Sequence, residues 1–192
     1  MRPALSLRPL PTVEPDDAEL LRRVLSRDGS ALGHLYDRHH AAVRRFLSRC
    51  TRQDVDDLVQ ETFLVASSRA ASFDGRPSAR AWLVGIAAHL LQRRNRGWAR
   101  FTRAVERLFE GDPEPAAPPD RALDRCEDVA RLERALASLT ETRRVVLVMF
   151  EVEELPCDEI ARSLDIPVGT VWTRLHHARK ALRAALAEEE AP

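Results

Sequence analysis

The sequence predicts an all-α protein made of two small helical domains. Apolar residues recur at the three- and four-residue spacing of helices, and no β alternation of useful length occurs. Aromatic residues make up only 5% of the chain and there are 7 glycines, which disfavours an all-β fold. With 44% apolar and 31% charged residues, a chain of 192 residues can form two cores.

The first domain is predicted over residues 16–109, after a flexible N-terminal arm at 1–15. A helix begins at Asp16 or Asp17, both of which favour helix starts. Further helices follow the apolar stripe from Leu32 to Leu47, the segment from about Gln53 to Ser68, and a long segment from about Ser78. Gly75 and Pro77 predict a turn before the long helix, which either continues through Gly97 or ends there.

An acidic linker is predicted at residues 110–120, which hold four prolines, four acids and no base. The second domain follows at 121–187, with a short tail at 188–192. Its last part resembles a helix-turn-helix: a helix at 158–164, a turn at 165–167, and a second helix. The second helix buries Val171, Leu175, Ala178 and Leu182, which recur at spacings of 4, 3 and 4.

Several function classes find no support in the sequence. The three cysteines, Cys50, Cys126 and Cys157, are widely spaced and predict neither a zinc site nor a disulfide framework, so a cytoplasmic location is expected. No signal peptide, membrane span, nucleotide-binding motif or catalytic motif is recognised. We therefore expect a protein that is not an enzyme, has no metal or cofactor, and does not insert into membranes.

The formal net charge of zero conceals three charged segments. Residues 76–107 hold eight arginines and one acid, 110–128 hold seven acids and two arginines, and 162–183 hold five bases and one acid. On a continuous helix, one stripe about 21 Å long is formed by Arg93, Arg96, Arg100, Arg103 and Arg107, which recur at spacings of 3, 4, 3 and 4. Such a stripe can follow nucleic-acid phosphates or contact another acidic partner, and a solvated amphipathic helix is the alternative.

The helix-turn-helix and a third charged stripe each allow two interpretations. The outer face of the second helix of the helix-turn-helix fits the major groove of DNA, but an ordinary helical hairpin has the same pattern. Asp54, Asp57 and Glu61 form an acidic stripe opposite apolar positions, and a solvated helix face is the alternative. The spacing of the charged residues does not decide between these interpretations.

Longer strings resemble two conserved regions of the bacterial sigma-70 family. Region 2 is resembled by LYDRH at 35–39, DDLVQETF at 56–63, FDGR at 73–76 and RAWL at 80–83. Region 4 is resembled by EIA at 159–161, IPVGTV at 166–171 and RLHHAR at 174–179. With only these two regions and a short linker, the chain resembles the extracytoplasmic-function (ECF) subfamily over about residues 17–187.

The resemblance implies a promoter-specificity subunit of RNA polymerase. The residues implied to bind the clamp helices of the largest polymerase subunit are Asp54, Asp57, Leu58, Val59, Gln60 and Glu61. Those implied to bind and open the −10 element are Phe73, Gly75, Arg76, Arg80, Trp82, His89, Arg93, Arg96 and Arg100. Those implied to read the −35 element are Thr170, Trp172, Thr173, Arg174, His176, His177, Arg179 and Lys180. A cognate anti-sigma factor is a further implied partner.

The sequence departs from the family pattern at four positions. His89 stands where the family often has Asn, so the base preference at −10 does not carry over. Trp172 stands where a basic residue is common, Asp165 where the turn usually has Gly, and Pro156 where a Ser or Thr cap is usual. Two other classes remain open: a different helix-turn-helix regulator of the LuxR type, and a helical adaptor that binds only proteins.

Overall fold

The computed structural model describes residues 15–52, 54–75, 77–106 and 127–188. Within these ranges, the side chains at 98, 99, 101–106, 127–129 and 188 are not described. The described residues form eight α-helices and one 3₁₀ turn, with no strand, which confirms the all-α prediction. The predicted linker lies outside them, as do most of the arm and tail, and the domain boundaries remain predictions.

The first half consists of α1 (Asp17–Leu25), α2 (Gly29–Cys50), α3 (Val55–Arg69), a 3₁₀ turn (Ala70–Ser72) and α4 (Ala79–Glu106). Each helix turns its apolar stripe inward. Leu20, Phe46, Leu58 and Leu83 come from the four α-helices and are fully buried in one core. The three- and four-residue spacing of apolar residues in the sequence therefore identifies the residues that form the core.

Three aspartates cap the first three helices. The Asp16 carboxylate accepts a hydrogen bond from the Glu19 N–H at 2.7 Å, and Asp54 accepts one from the Asp57 N–H at 3.3 Å. Asp28 begins α2, and hydrogen bonds from Ser30 and Arg23 hold the pKa of its carboxyl well below the usual range. Such caps satisfy backbone donors that have no partner within the helix.

Helix α4 is continuous through Gly97, which answers the question that the sequence left open. Its 28 residues extend for about 42 Å at 1.5 Å per residue. A Cβ added at Gly97 would meet nothing within 4 Å, so no close packing requires a glycine there. The turn before α4 does require one, because Gly75 has a φ of 85°.

The second half consists of α5 (Glu127–Ala137), α6 (Glu141–Glu151), α7 (Cys157–Ser163) and α8 (Val168–Glu188). Its buried residues, which include Val145, Met149, Ile160 and Leu175, belong to the same hydrophobic cluster as the core of the first half. Leu132, which the spacing places with the core, is 38% exposed, because the short α5 is covered by neighbours only in part.

The turn between α7 and α8 has the geometry of a helix-turn-helix. Asp165 adopts a left-handed φ of 51°, as its short polar side chain allows at a position where glycine is usual. The Ile166 N–H then donates to the Ala161 carbonyl at 3.0 Å and closes the end of α7. Pro156 precedes α7 without a side-chain cap.

The two halves pack directly against each other. Arg45 of α2 donates two hydrogen bonds, of 2.9 and 2.6 Å, to Glu153, which is fully buried after α6. The Arg144 guanidinium donates to the Cys50 carbonyl at 3.0 Å. These contacts join residues about 100 positions apart, and no sequence pattern predicted them.

The two halves also approach each other closely at Gly85 of α4. A Cβ there would lie 2.6 Å from the Ser163 carbonyl oxygen and 2.9 Å from the Ser163 Cβ. Nearby, the Ser78 hydroxyl donates to Glu159 at 2.6 Å and the Asn95 amide donates to Glu141 at 2.6 Å. The absence of a side chain at Gly85 therefore allows α4 and α7 to come into contact.

Candidate functional site

The exposed face of α3 forms an acidic surface, consisting of Asp54, Asp57, Gln60 and Glu61. Arg94 of α4 reaches across to it and donates to Asp57 at 2.7 Å and to Glu61 at 3.2 Å. The hydrogen bond with Asp57 raises the pKa of Arg94, so this guanidinium stays charged. The acidic surface is thus held by a cation from the same half.

Two of the residues predicted to dock a partner on α3 are buried. Leu58 is fully buried, and Val59 is 4% exposed, both within the core of the first half. Leu58 therefore has no exposed surface to offer a partner, whereas Val59 lines a cavity beside the acidic surface, and its docking role stays a prediction. Both residues follow the apolar spacing of α3 and orient the acidic residues by packing beneath them.

A cavity of about 350 Å³ lies beside the acidic surface. Tyr36, His40 and Arg44 of α2 line one side, and residues of α3 line the other. The rings of Tyr36 and His40 stack with centroids 4.9 Å apart, and Arg44 pairs with Asp56. The sequence analysis missed these α2 residues and Arg94, because a helix pattern does not show which helices become neighbours.

A second surface, the arginine surface, runs along α4 and consists of His89, Arg93, Arg96 and Arg100. All four are exposed. Arg93, Arg96 and Arg100 follow the predicted spacing of 3 and 4, and His89 lies one helical turn before Arg93 on the same face. None of the described carboxylates lies within ion-pair distance of Arg93, Arg96 or Arg100. The stripe was also predicted to include Arg103 and Arg107, but Arg107 and the side chain of Arg103 are not among the residues that the structure describes.

The start of α4 brings together other residues predicted to bind the −10 element. The rings of Phe73 and Trp82 pack with centroids 5.3 Å apart, and both are half-buried. Gly75 is exposed in the turn before them and Arg80 is half-buried, whereas Arg76 is outside the described residues. The predicted residues thus continue the arginine surface toward this turn.

The outer face of α8 forms the third surface, the recognition face. Trp172, Thr173, His176, His177 and Lys180 are exposed, while Val171, Leu175 and Ala178 are buried against α5, α6 and α7. Thr170 and Arg174 are half-buried at its edge. A cavity of about 390 Å³ at this edge is also lined by Thr142 and Arg143 of α6, which sequence reasoning missed.

Arg179, also predicted to bind DNA, is held by its own half. Its guanidinium donates to Glu151 at 2.9 and 2.7 Å and lies 5.0 Å from the centroid of the Phe150 ring. This arginine therefore helps to fix α8 against the end of α6.

No group of three potential metal ligands occurs in the part of the chain that is described. Among the same residues, no helix is long and apolar enough to cross a membrane. Cys50 and Cys157 are buried, and burial raises the pKa of both thiols. Both thiols are therefore protonated at neutral pH, and the thiolate form is the reactive one.

Comparisons with known proteins match both halves. Residues 35–101 match the family described as Sigma-70 region 2, and residues 130–182 match Sigma-70, region 4. The chain is 36% identical over 160 residues to the ECF RNA polymerase sigma factor SigL of Mycobacterium tuberculosis, covering 80% of this chain and 88% of that one. It is 31% identical to the RNA polymerase sigma-H factor of Pseudomonas aeruginosa, covering 88% and 93%.

Two solved structures resemble the fold. CnrH, solved with the cytosolic domain of CnrY, has a TM-score of 0.63 and 29% identity, covering 90% of this chain and 97% of that one. The sigma factor RpoE, solved with the anti-sigma factor NepR from Bartonella quintana, has a TM-score of 0.62 and 22% identity, covering 77% and 91%. The latter likeness concerns the fold alone.

The matches to both sigma regions, with a helix-turn-helix in the second half, place the chain in a class of DNA-binding transcription proteins. Within that class, the chain belongs to the ECF group of the sigma-70 family of RNA polymerase sigma factors. It binds RNA polymerase core and promoter DNA, and acts in transcription initiation. Sigma factors are initiation factors and not enzymes in the usual sense.

Proposed function

We propose that each of the three surfaces performs one step of initiation. The acidic surface docks the clamp helices of the largest polymerase subunit. The arginine surface and the turn before α4 capture the −10 element as it melts. The recognition face reads the −35 element as a closed duplex. The proposed site of all three steps is the cytoplasm, where the polymerase acts.

The charge of α8 is the observation that carries this proposal. From Val168 to Ala187 the helix contains four basic residues and no acid. A face of this kind attracts phosphates, and Thr, His, Lys and Arg side chains can reach base edges in the major groove. An adaptor that binds only proteins would have no reason to exclude acids over five turns of helix.

The proposal also requires the two halves to separate on the promoter. The −10 and −35 elements are named for positions 25 base pairs apart, which corresponds to about 85 Å at 3.4 Å per pair. A compact chain of 192 residues has a radius of gyration of about 16 Å and is only about 40 Å across. We therefore expect the free chain to bind promoter DNA weakly until polymerase holds the halves apart.

A cognate anti-sigma factor is a proposed further partner. The chain is 29% identical to CnrH, whose structure contains the cytosolic domain of CnrY. A protein that covered the acidic surface, or kept the halves packed, would prevent assembly with the polymerase core.

The test is transcription by the reconstituted holoenzyme with two arginine variants. Arg174→Ala should lose activity mainly on promoters with an intact −35 element, and a template already melted at −10 should not restore it. Arg96→Ala should lose activity on every promoter, and premelting should restore part of it. Arg22→Ala removes the same charge from an exposed position on α1 and serves as the matched control.

The measurement uses paired duplex and bubble templates at several salt concentrations. Loss of a phosphate contact should reduce the slope of log affinity against log salt by about one unit. Identical responses of Arg174→Ala and Arg96→Ala to the −35 sequence and to premelting would contradict the division of roles. Absence of promoter-specific initiation with polymerase core would contradict the whole proposal.

A further inference from the structure

An exposed apolar strip crosses the first turn and a half of α8. Val168 is 46% exposed and Trp172 is 55% exposed, and the two residues are one helical turn apart on the same side. No aromatic ring of the described residues packs against Trp172. Exposing an indole to water is unfavourable, so a partner that covers it contributes binding free energy.

The surroundings of the strip indicate the kind of partner. The strip adjoins Thr173, His176 and Lys180 of the recognition face, and no acid occurs between Val168 and Ala187. A neutral or basic protein surface would leave these positive charges uncompensated. Duplex DNA supplies phosphates for them and, in the major groove, one apolar group that projects from a base edge: the C5 methyl of thymine.

We propose that Val168 and Trp172 contact thymine methyl groups in the −35 element. This deepens the proposed function, on which it rests: polar side chains of the recognition face contact hydrogen-bonding base edges, and the strip selects thymine beside them. Trp172 stands where the family commonly has a basic residue, so this contact would distinguish the promoters of this chain from those of relatives. Cytosine carries no methyl at the equivalent position and would leave the indole partly exposed.

Replacing single thymines by deoxyuridine tests the proposal, because the change removes one methyl and keeps all hydrogen-bonding groups. The holoenzyme containing the full chain first selects its −35 element from randomised duplexes. Each selected thymine is then replaced in turn, and the dissociation constant of the promoter complex is measured. At one or two positions, deoxyuridine should weaken binding of the wild type about 2- to 4-fold.

Variants of the strip identify the side chain responsible. Trp172→Ala should bind more weakly to thymine DNA and lose the difference between thymine and deoxyuridine at the same positions. Trp172→Phe should retain part of that difference. Leu25→Ala truncates a side chain that is 49% exposed at the end of α1, away from the three surfaces, and should keep the full difference. Since Trp172 is exposed, its replacement should leave the fold intact.

The outcomes separate this proposal from the proposed function. A selected −35 element without thymine, or equal binding of thymine and deoxyuridine throughout, overturns methyl recognition and leaves −35 recognition in place. A methyl effect that persists in Trp172→Ala and Val168→Ala also overturns it. If Trp172→Ala leaves promoter binding unchanged, the strip serves a protein partner instead. Selection of no −35 element at all contradicts the proposed function itself.

Discussion

The acidic surface on α3 and the recognition face on α8 have opposite charges, and they differ in whether a neighbouring helix supplies an ion-pair partner. On α3, Asp57 and Glu61 are both hydrogen-bonded to Arg94. On α8, neither Arg174 nor Lys180 has an ion-pair partner among the described carboxylates. The acidic surface is partly neutralised within the molecule by Arg94, whereas the recognition face is left for counterions from solution.

This difference predicts two kinds of binding. A basic partner of the acidic surface must replace an existing pair, so part of its electrostatic gain is lost and the salt dependence is moderate. DNA on the recognition face instead gains from the release of its own counterions, which makes binding strongly salt-dependent. Binding of a protein to the acidic surface should therefore depend mainly on complementary shape, whereas binding of DNA to the recognition face should depend mainly on long-range electrostatic attraction.

Reversing the charge of the acidic surface should have the largest effect. In the variant Asp57→Lys with Glu61→Lys, like charges face the basic partner, and affinity for polymerase core should fall by more than about 100-fold. Both side chains are about half exposed, so the fold should persist in circular dichroism. The double variant Glu19→Lys with Asp158→Lys changes the net charge by the same amount on α1 and α7 and serves as the control. If the first variant still co-purifies with polymerase, the acidic surface does not dock it.

Separating the halves should have the next largest effect, and α4 contains a matched pair of glycines for this test. In Gly85→Ala the new Cβ meets the Ser163 backbone, so α7 must move away and the radius of gyration in X-ray scattering should increase. Gly97→Ala meets nothing and should stabilise α4 by about 0.5–1 kcal/mol.

Alkylation of Cys50, followed by mass spectrometry, gives a second measure of this separation. Cys50 is buried beside Arg144, Glu141 and Glu153 of the second half, so it should react faster in Gly85→Ala than in Gly97→Ala. Equal compactness and equal alkylation in the two variants would show that the contact at Gly85 does not hold the halves together.

A smaller effect should follow from removing the ion pairs that Arg94 forms with the acidic surface. Arg94→Gln frees Asp57 and Glu61, so affinity for polymerase core should rise about 2- to 5-fold at low salt and depend more steeply on salt. Arg94→Lys keeps the charge and should stay close to the wild type. Weaker core binding in Arg94→Gln, measured by a fluorescence titration, would show instead that Arg94 positions the carboxylates.

The smallest effect concerns Arg179 of α8, which pairs with Glu151 of α6. Glu151→Gln weakens the pairing of Arg179 and makes its charge available to phosphate, so the salt slope of duplex binding should steepen by up to about one unit. Glu154→Gln removes an exposed charge nearby and serves as the control. An unchanged slope would indicate that the Phe150 ring keeps Arg179 away from DNA.

The sequence was sufficient for features that depend on neighbours along one helix. Apolar spacing placed Phe46 and Leu175 in the core, the spacing of 3 and 4 placed Arg93, Arg96 and Arg100 on one face, and side-chain chemistry explained the left-handed Asp165. The same spacing also placed Leu58 and Val59 on the apolar stripe of α3, and both are buried. Their docking role came from the family resemblance: Leu58 has no exposed surface for it, and at Val59 it stays a prediction.

Contacts between distant residues were not predictable in this way. Arg94 is 37 positions from Asp57, and Arg45 is 108 positions from Glu153, so helix periodicity carries no information about either pair. Glycine composition likewise does not reveal that Gly85 allows a close approach while Gly97 does not. These features depend on the packing of helices, which a single sequence does not specify.

The continuity of α4 couples the contact between the two halves to the arginine surface. Gly85 and Asn95 both contact the second half, and Arg100 lies five residues beyond Asn95 on the same unbroken helix, about 7.5 Å away. Separation of the halves would remove both contacts at once. It would therefore release the segment of α4 that leads to the arginines proposed to capture the opened strand.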